Sequence, residues 1–209
     1  MKTVLYIHGK GGNASESTHY EKLFPDCKVI GLDYKTYLPW ETGKEIYEAV
    51  ASLKTDAESI ILIANSIGAF FSMNANLNGL IEKAYFISPL VNMEKLICDM
   101  MNRVNVTEAE LEQRKILPTD FGEELSWEYL CYVREHSLNW QVPTSILYGE
   151  NDNITSIETM RAFAEKQGAS LTVMKGGEHW FHTEEEMKFL DEWIKSTTHW
   201  QKCCKFANM

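Results

Sequence analysis

The chain has 209 residues, with 20 Lys and Arg against 30 Asp and Glu, a formal net charge of −10. That is the size of one domain, and 44% hydrophobic with 24% charged residues excludes wholesale disorder. The negative balance opposes phosphate backbones and anionic lipid surfaces, because both kinds of binding rest on neutralisation by Lys and Arg; neither nucleic acid nor a membrane is an expected partner.

Along the chain, short runs rich in Val, Ile, Leu and Tyr recur at residues 3–7, 28–32, 59–64, 84–87, 144–148 and 170–174, and they read as strands. Most are continuously apolar, as in parallel strands buried on both faces. The first stops at His8, far short of a signal-peptide core or the ~20 residues of a membrane helix. Stretches of helical period fall between the runs: Ile46, Val50 and Leu53 in one; Ile157, Met160 and Ala164 in another, opened by a capping box at Thr155 and Glu158 and closed by Gly168. Thr183 and Glu186 cap a last helix carrying Met187, Leu190 and Ile194. This alternation predicts an α/β fold with a mostly parallel sheet. Residues 90–142 break the rhythm and read as a helical insertion, with Thr107 and Glu110 capping one helix and Leu125, Tyr129 and Val133 spaced along another. Residues 197–209 read as a loosely held tail. Five cysteines (Cys27, Cys98, Cys131, Cys203, Cys204) lack a C-x-x-C pair, so reduced thiols in a cytoplasmic protein are expected, with no metal and no cofactor.

The sharpest local signal is Ala64-Asn65-Ser66-Ile67-Gly68, a strand-turn-helix in which the residues two before and two after the serine are small. Strand and helix backbones nearly touch at such a turn, so Ser66 reads as a nucleophile on an elbow, with the Ile67 N–H beside it as an oxyanion donor. A serine needs a base held by a carboxylate. Of the six histidines, His179 in Gly176-Gly177-Glu178-His179-Trp180 is the expected base, since it follows the last strand. His182 reads as a helix-end residue, and His19, His136 and His199 as surface residues. Asp152, just past the strand ending near Tyr148, is the expected acid, in preference to Asp33, which reads as a loop hydrogen-bonding residue; Glu150 and Glu178 read as solvated. In His8-Gly9-Lys10-Gly11-Gly12 the glycines allow a tight loop whose Lys10 N–H is the second oxyanion donor. The loop lacks the Gly-x-x-x-x-Gly-Lys-Ser/Thr pattern of a phosphate cradle.

Through Tyr6-Ile7-His8-Gly9, the Ser66 elbow, Gly149-Glu150-Asn151-Asp152 and Gly177-Glu178-His179-Trp180, the chain resembles the α/β-hydrolase superfamily over nearly its whole length, with Ala64 where the family's elbow has Gly. The resemblance implies about six parallel strands and a cap over the active site at residues 90–142. A serine in the elbow argues against the dehalogenase and epoxide-hydrolase branches, which use aspartate there. The expected activity is a carboxylesterase or thioesterase acting on small to medium uncharged acyl substrates through Ser66, His179 and Asp152. The alternatives are a carbon–carbon bond hydrolase of the same fold or a non-catalytic binding protein. Met93, Met100 and Trp127 of the insertion are the expected lining of an apolar acyl pocket.

Overall fold

A computed structural model describes residues 1–206, with side chains described through residue 198. Contacts divide the chain into two compact units, Met1–Val91 together with the chain from Trp140 onward, and Asn92–Asn139.

The larger unit carries β1 (Lys2–Ile7), a 3-10 turn (Ala14–Ser17) running into α1 (Thr18–Glu21), β2 (Cys27–Leu32), α2 (Pro39–Leu53), β3 (Ile60–Asn65), α3 (Ile67–Asn74) and β4 (Lys83–Ile87). After the smaller unit it resumes as β7 (Thr144–Gly149), α7 (Ile157–Gln167), β8 (Ser170–Met174) and α8 (Glu184–Phe206). All six strands of the main sheet are parallel, in the order β2-β1-β3-β4-β7-β8, which is the sheet expected from the apolar runs. β3 is buried from Ile60 to Ala64, whereas the edge strand β2 is mostly half-buried and in the other edge strand, β8, only Met174 is buried, because an edge strand has only one neighbour. On one face Tyr6, Ile61, Ile63, Tyr85, Ile87 and Leu147 pack with Tyr20, Leu23 and Phe24 and with Leu190, Trp193 and Ile194 of α8. One residue out of phase, Leu5, Ile7 and Leu62 point the opposite way, toward the side where α2 packs on α3. The order reverses at β1: the chain leaves it for β2 on one side and returns as β3 on the other. Ligands of open α/β sheets bind at the carboxyl ends of strands at such a switch point.

The smaller unit holds α4 (Met93–Arg103), α5 (Glu108–Arg114), β5 (Ile116–Pro118), β6 (Glu124–Ser126) and α6 (Trp127–Glu135). The expectation of an all-helical insertion is corrected here, since β5 and β6 form an antiparallel hairpin turning at Thr119–Gly122, with Gly122 at φ 81°. Three-residue strands are too short to show a period. Leu125 belongs to β6, and α6 begins at Trp127 under the Ser126 cap with Leu130 as its buried residue. Arg134 of α6 binds Glu108 through two nitrogens, at 2.8 and 2.7 Å, and Glu94 at 2.8 Å, tying α6 to α5 and α4.

Thr107 with Glu110 and Thr183 with Glu186 form the expected caps, and Gly168 ends α7 in the left-handed conformation at φ 61°. The cap of α7 is Ser156, not Thr155. Thr155 is engaged elsewhere: its N–H donates to Asp152 and its carbonyl accepts the Tyr148 hydroxyl. The tail expectation is also corrected, since α8 continues through Phe206; residues 207–209 lie outside the described residues.

Candidate active site

β3 ends at Asn65 and α3 begins at Ile67, leaving Ser66 alone to make the turn, at φ 50° and ψ −119°. A non-glycine residue in this left-handed region stores roughly 1–3 kcal/mol of strain, and the surroundings hold it there. The Ser66 N–H donates to the Ile87 carbonyl at 2.9 Å, while its own carbonyl accepts from the N–H groups of Ala69 and Leu90. A Cβ on Gly68 would lie 2.4 Å from the His8 carbonyl oxygen and 2.8 Å from that of Ile7, so α3 can start this close to β1 only with glycine there. Ala64, fully buried, is small enough for the other side of the turn.

Ser66, His179 and Asp152, 113 and 27 residues apart in sequence, form one continuous relay. Ser66 Oγ lies 2.8 Å from His179 Nε2, and His179 Nδ1 lies 2.7 Å from Asp152 Oδ2. A carboxylate only accepts, so Nδ1 carries the proton toward Asp152 and Nε2 is left to accept from the Ser66 hydroxyl. The Asp152 side chain has no solvent exposure, and its second oxygen accepts from the N–H groups of Ile154 and Thr155 at 2.8 and 2.9 Å.

The turns carrying Asp152 and His179 are locked together. Asn151 N–H donates to the Gly177 carbonyl, Glu150 N–H to that of Met174, and the Asn151 amide to that of Gly176. Glu150 is therefore more than solvated: its carboxylate accepts the Gly176 N–H at 3.0 Å. Gly149 makes the approach possible, since a Cβ there would lie 2.3 Å from the Glu178 carbonyl oxygen. Glu186, on the first turn of α8, takes the N–H of Glu178 on one oxygen, and the N–H groups of His182 and Thr183 and the Thr183 hydroxyl on the other. Burial would raise this carboxyl, but the hydrogen bonds outweigh burial and hold it down to about 2. Sequence reading identified Glu186 as a cap; that it also grips both ends of the turn presenting His179 has no local signature.

Of the proposed oxyanion donors, the Ile67 N–H opens α3 and so has no intrahelical acceptor. Lys10 follows His8-Gly9, which runs against the elbow: a Cβ on Gly9 would lie 3.3 Å from Ser66 Cβ. Tyr34, absent from the sequence reading, braces this loop. Its ring stacks on His8 at 4.2 Å, and its hydroxyl donates to the His8 carbonyl at 3.1 Å. Burial pushes this phenol up, so it remains a donor.

Asp33 is a loop residue, accepting the Ala14 N–H at 2.6 Å. His182 is exposed, stacked on Trp180. His136 is exposed at the C-terminal cap of α6, but His19 is half-buried and bound to Asp191 at 2.6 Å, not a free surface residue. His199 lies outside the described side chains. Met93, Met100 and Trp127 all belong to the smaller unit, Met93 buried and the other two half-buried. Cys27, Cys98 and Cys131 are free thiols. Among the described residues no cluster of His, Cys, Asp and Glu is fit to hold a metal ion, and no helix is long and apolar enough to cross a membrane.

No protein-family model and no curated protein matches the chain. Solved structures do. The chain is similar to Est1E from Butyrivibrio proteoclasticus, with a TM-score of 0.76 at 17% identity, covering 97% of this chain and 88% of that one. It is similar to alpha/beta hydrolase domain-containing protein 10 from mouse, with a TM-score of 0.70 at 15% identity, covering 94% and 89%. The esterase PF2001 from Pyrococcus furiosus gives a TM-score of 0.64 at 17% identity, covering 96% and 81%.

Proposed function

The chain has the α/β-hydrolase fold, and on that premise we propose that it is a serine hydrolase cleaving carboxylic esters or thioesters through an acyl-enzyme. The observation that carries this reading is the unbroken relay from a strained Ser66 through His179 to a fully buried Asp152, at 2.8 and 2.7 Å. Ser66 Oγ attacks the acyl carbon as its proton passes to His179 Nε2, and Asp152 holds the Nδ1–H tautomer and stabilises the imidazolium. The N–H groups of Ile67 and Lys10 receive the negative charge that develops on the carbonyl oxygen. Collapse of the tetrahedral intermediate breaks the bond to the leaving oxygen or sulfur, which takes the proton from Nε2. Water then attacks the acyl-enzyme with His179 again as base, releasing the acid and Ser66. The net charge of −10 supports uncharged acyl groups over anionic ones.

A fluorophosphonate probe should label Ser66 and no other serine. Ser66→Ala should abolish labelling and lower ester turnover by about 10⁵-fold or more, leaving only what binding and the oxyanion donors supply. Labelling elsewhere, or undiminished turnover in Ser66→Ala, overturns the mechanism.

A further inference from the structure

Beside the relay lies a cavity of ≈ 690 Å³, within the usual range for small-molecule sites, for which the chemistry above has no use. It sits against the carboxyl ends of β1, β3 and β4, where Tyr6, Asn65 and Ile87 line it. Asn65 immediately precedes Ser66, and the Ile87 carbonyl holds the Ser66 N–H. Trp180 and Phe181, the next two residues after His179, form another part of the wall. The space therefore adjoins both the nucleophile's strand and the base's turn. A base that returns its proton to the departing atom must face the leaving group, so space on the His179 side is leaving-group space.

The lining is divided in character. Tyr20, Ile87, Phe181, Met187 and Leu190 are apolar or aromatic, while Glu16, His19, Glu21 and Lys22 are polar. The cation of the polar wall is already committed: Lys22 Nζ lies 2.7 Å from Asp191, which also holds His19 Nε2 at 2.6 Å. Glu16 accepts the Tyr6 hydroxyl at 2.6 Å and the Asn13 N–H at 3.2 Å, and among the described residues it has no cationic partner. Burial pushes the Tyr6 phenol up, which keeps it a donor to Glu16. The wall's remaining capacity is thus for accepting hydrogen bonds, under a negative charge. A pure hydrocarbon would desolvate this wall without satisfying it, and an anion would be repelled by it.

Resting on the serine-hydrolase reading, we propose that this cavity receives the leaving group of the substrate, an alcohol or thiol whose apolar body carries a terminal ammonium, with Glu16 as its counter-ion. The acyl portion stays uncharged; the charge recognised is on the departing half.

The test compares kcat/KM for the butyrate esters of para-aminomethylbenzyl alcohol and para-ethylbenzyl alcohol, which share an acyl-enzyme and nearly share a shape. The ammonium ester should be favoured about fivefold at low ionic strength, the upper range for a solvent-accessible ion pair, and less as salt is added. Glu16→Gln should bring the ratio to unity by lowering the ammonium ester about fivefold more than the neutral one; a merely structural role for Glu16 would lower both together and leave the ratio standing. Met187→Trp, which fills the cavity from α8, should lower both benzyl esters by about tenfold and spare methyl butyrate. A wild-type ratio of one, a ratio that survives Glu16→Gln, or equal loss of methyl butyrate in Met187→Trp overturns the assignment. Fluorophosphonate labelling of Ser66 separates the two levels: with labelling intact, those results sink only the leaving-group site, whereas an unlabelled wild type sinks the hydrolase reading and this inference with it.

Discussion

Glu186→Gln tests whether the turn presenting His179 is held by one buried carboxylate. The native side chain takes three N–H groups and one hydroxyl at 2.8–3.1 Å, three of these four on a single oxygen. Glutamine has one acceptor oxygen. Placed to keep the three-bond side, it sets its NH₂ against the N–H of Glu178, one residue from the base. The carboxyl is held down to about 2 from an ordinary 4.5; at about 1.4 kcal/mol for each pH unit of that displacement, the ionised form contributes roughly 3 kcal/mol to folding. A folded-state value below the unfolded one stabilises at pH above the unfolded value and loses that contribution as pH falls through the folded one. The gap between wild type and Glu186→Gln should therefore be full at pH 7, begin to close near about 4.5, and be largely gone near about 2. Urea denaturation at pH 7 and pH 3 measures this, and ester turnover at pH 7 should fall as well, because His179 loses its fixed approach to Ser66. A variant within about 0.5 kcal/mol of wild type at pH 7, the range of ordinary surface substitutions, or a gap that does not narrow with acid, refutes the reasoning.

Asp152→Asn should lower kcat on the order of 10⁴-fold with the fold intact, because its NH₂ drives His179 to the tautomer whose Nε2 cannot accept from Ser66; pre-steady-state acylation measures it. Gly149→Ala forces a methyl toward the Glu178 and Gly177 carbonyls, 2.3 and 2.5 Å from its position. It should cost about 1–3 kcal/mol by denaturant titration and cut turnover by displacing the His179 turn from Asp152. His182→Ala should keep both turnover and, to within about 0.5 kcal/mol, stability; loss of labelling at Ser66 in this variant would mean that the base has been misassigned.

The six-strand sheet was legible because parallel strands buried on two faces are written as continuous apolar runs, as in residues 60–64. The elbow was legible because its geometry restricts residue size at fixed offsets from Ser66, and Asp152 and His179 because each directly follows such a run. What stayed hidden depends on contacts distant in sequence or on elements too short to carry a period. The hairpin in the insertion has three residues per strand. Thr155 read as a cap from its spacing to Glu158, yet the same residue's N–H was needed by Asp152, and Ser156 took the cap instead. His19 read as surface because its partner, Asp191, is 172 residues away.

The geometry of the relay depends as much on missing atoms as on functional ones. Three backbone approaches, Gly68 on the His8 carbonyl, Gly9 on Ser66 and Gly149 on the Glu178 carbonyl, bring the β1 loop, the elbow and the turns after β7 and β8 together. The approaches at Gly68 and Gly149 are closer than a Cβ would tolerate, whereas the one at Gly9, 3.3 Å from Ser66 Cβ, is tight but open to a small shift, so it is the contacts at Gly68 and Gly149 that tie their loops together. A methyl at Gly68 would move the loop after β1 relative to Ser66, and one at Gly149 would move His179 relative to Asp152. Geometry of this kind must hold to well under 1 Å, and here it is kept by the close main-chain contacts at Gly68 and Gly149, with Glu186 at the start of α8 bracing the turn that carries His179 and Tyr34 bracing the loop after β1.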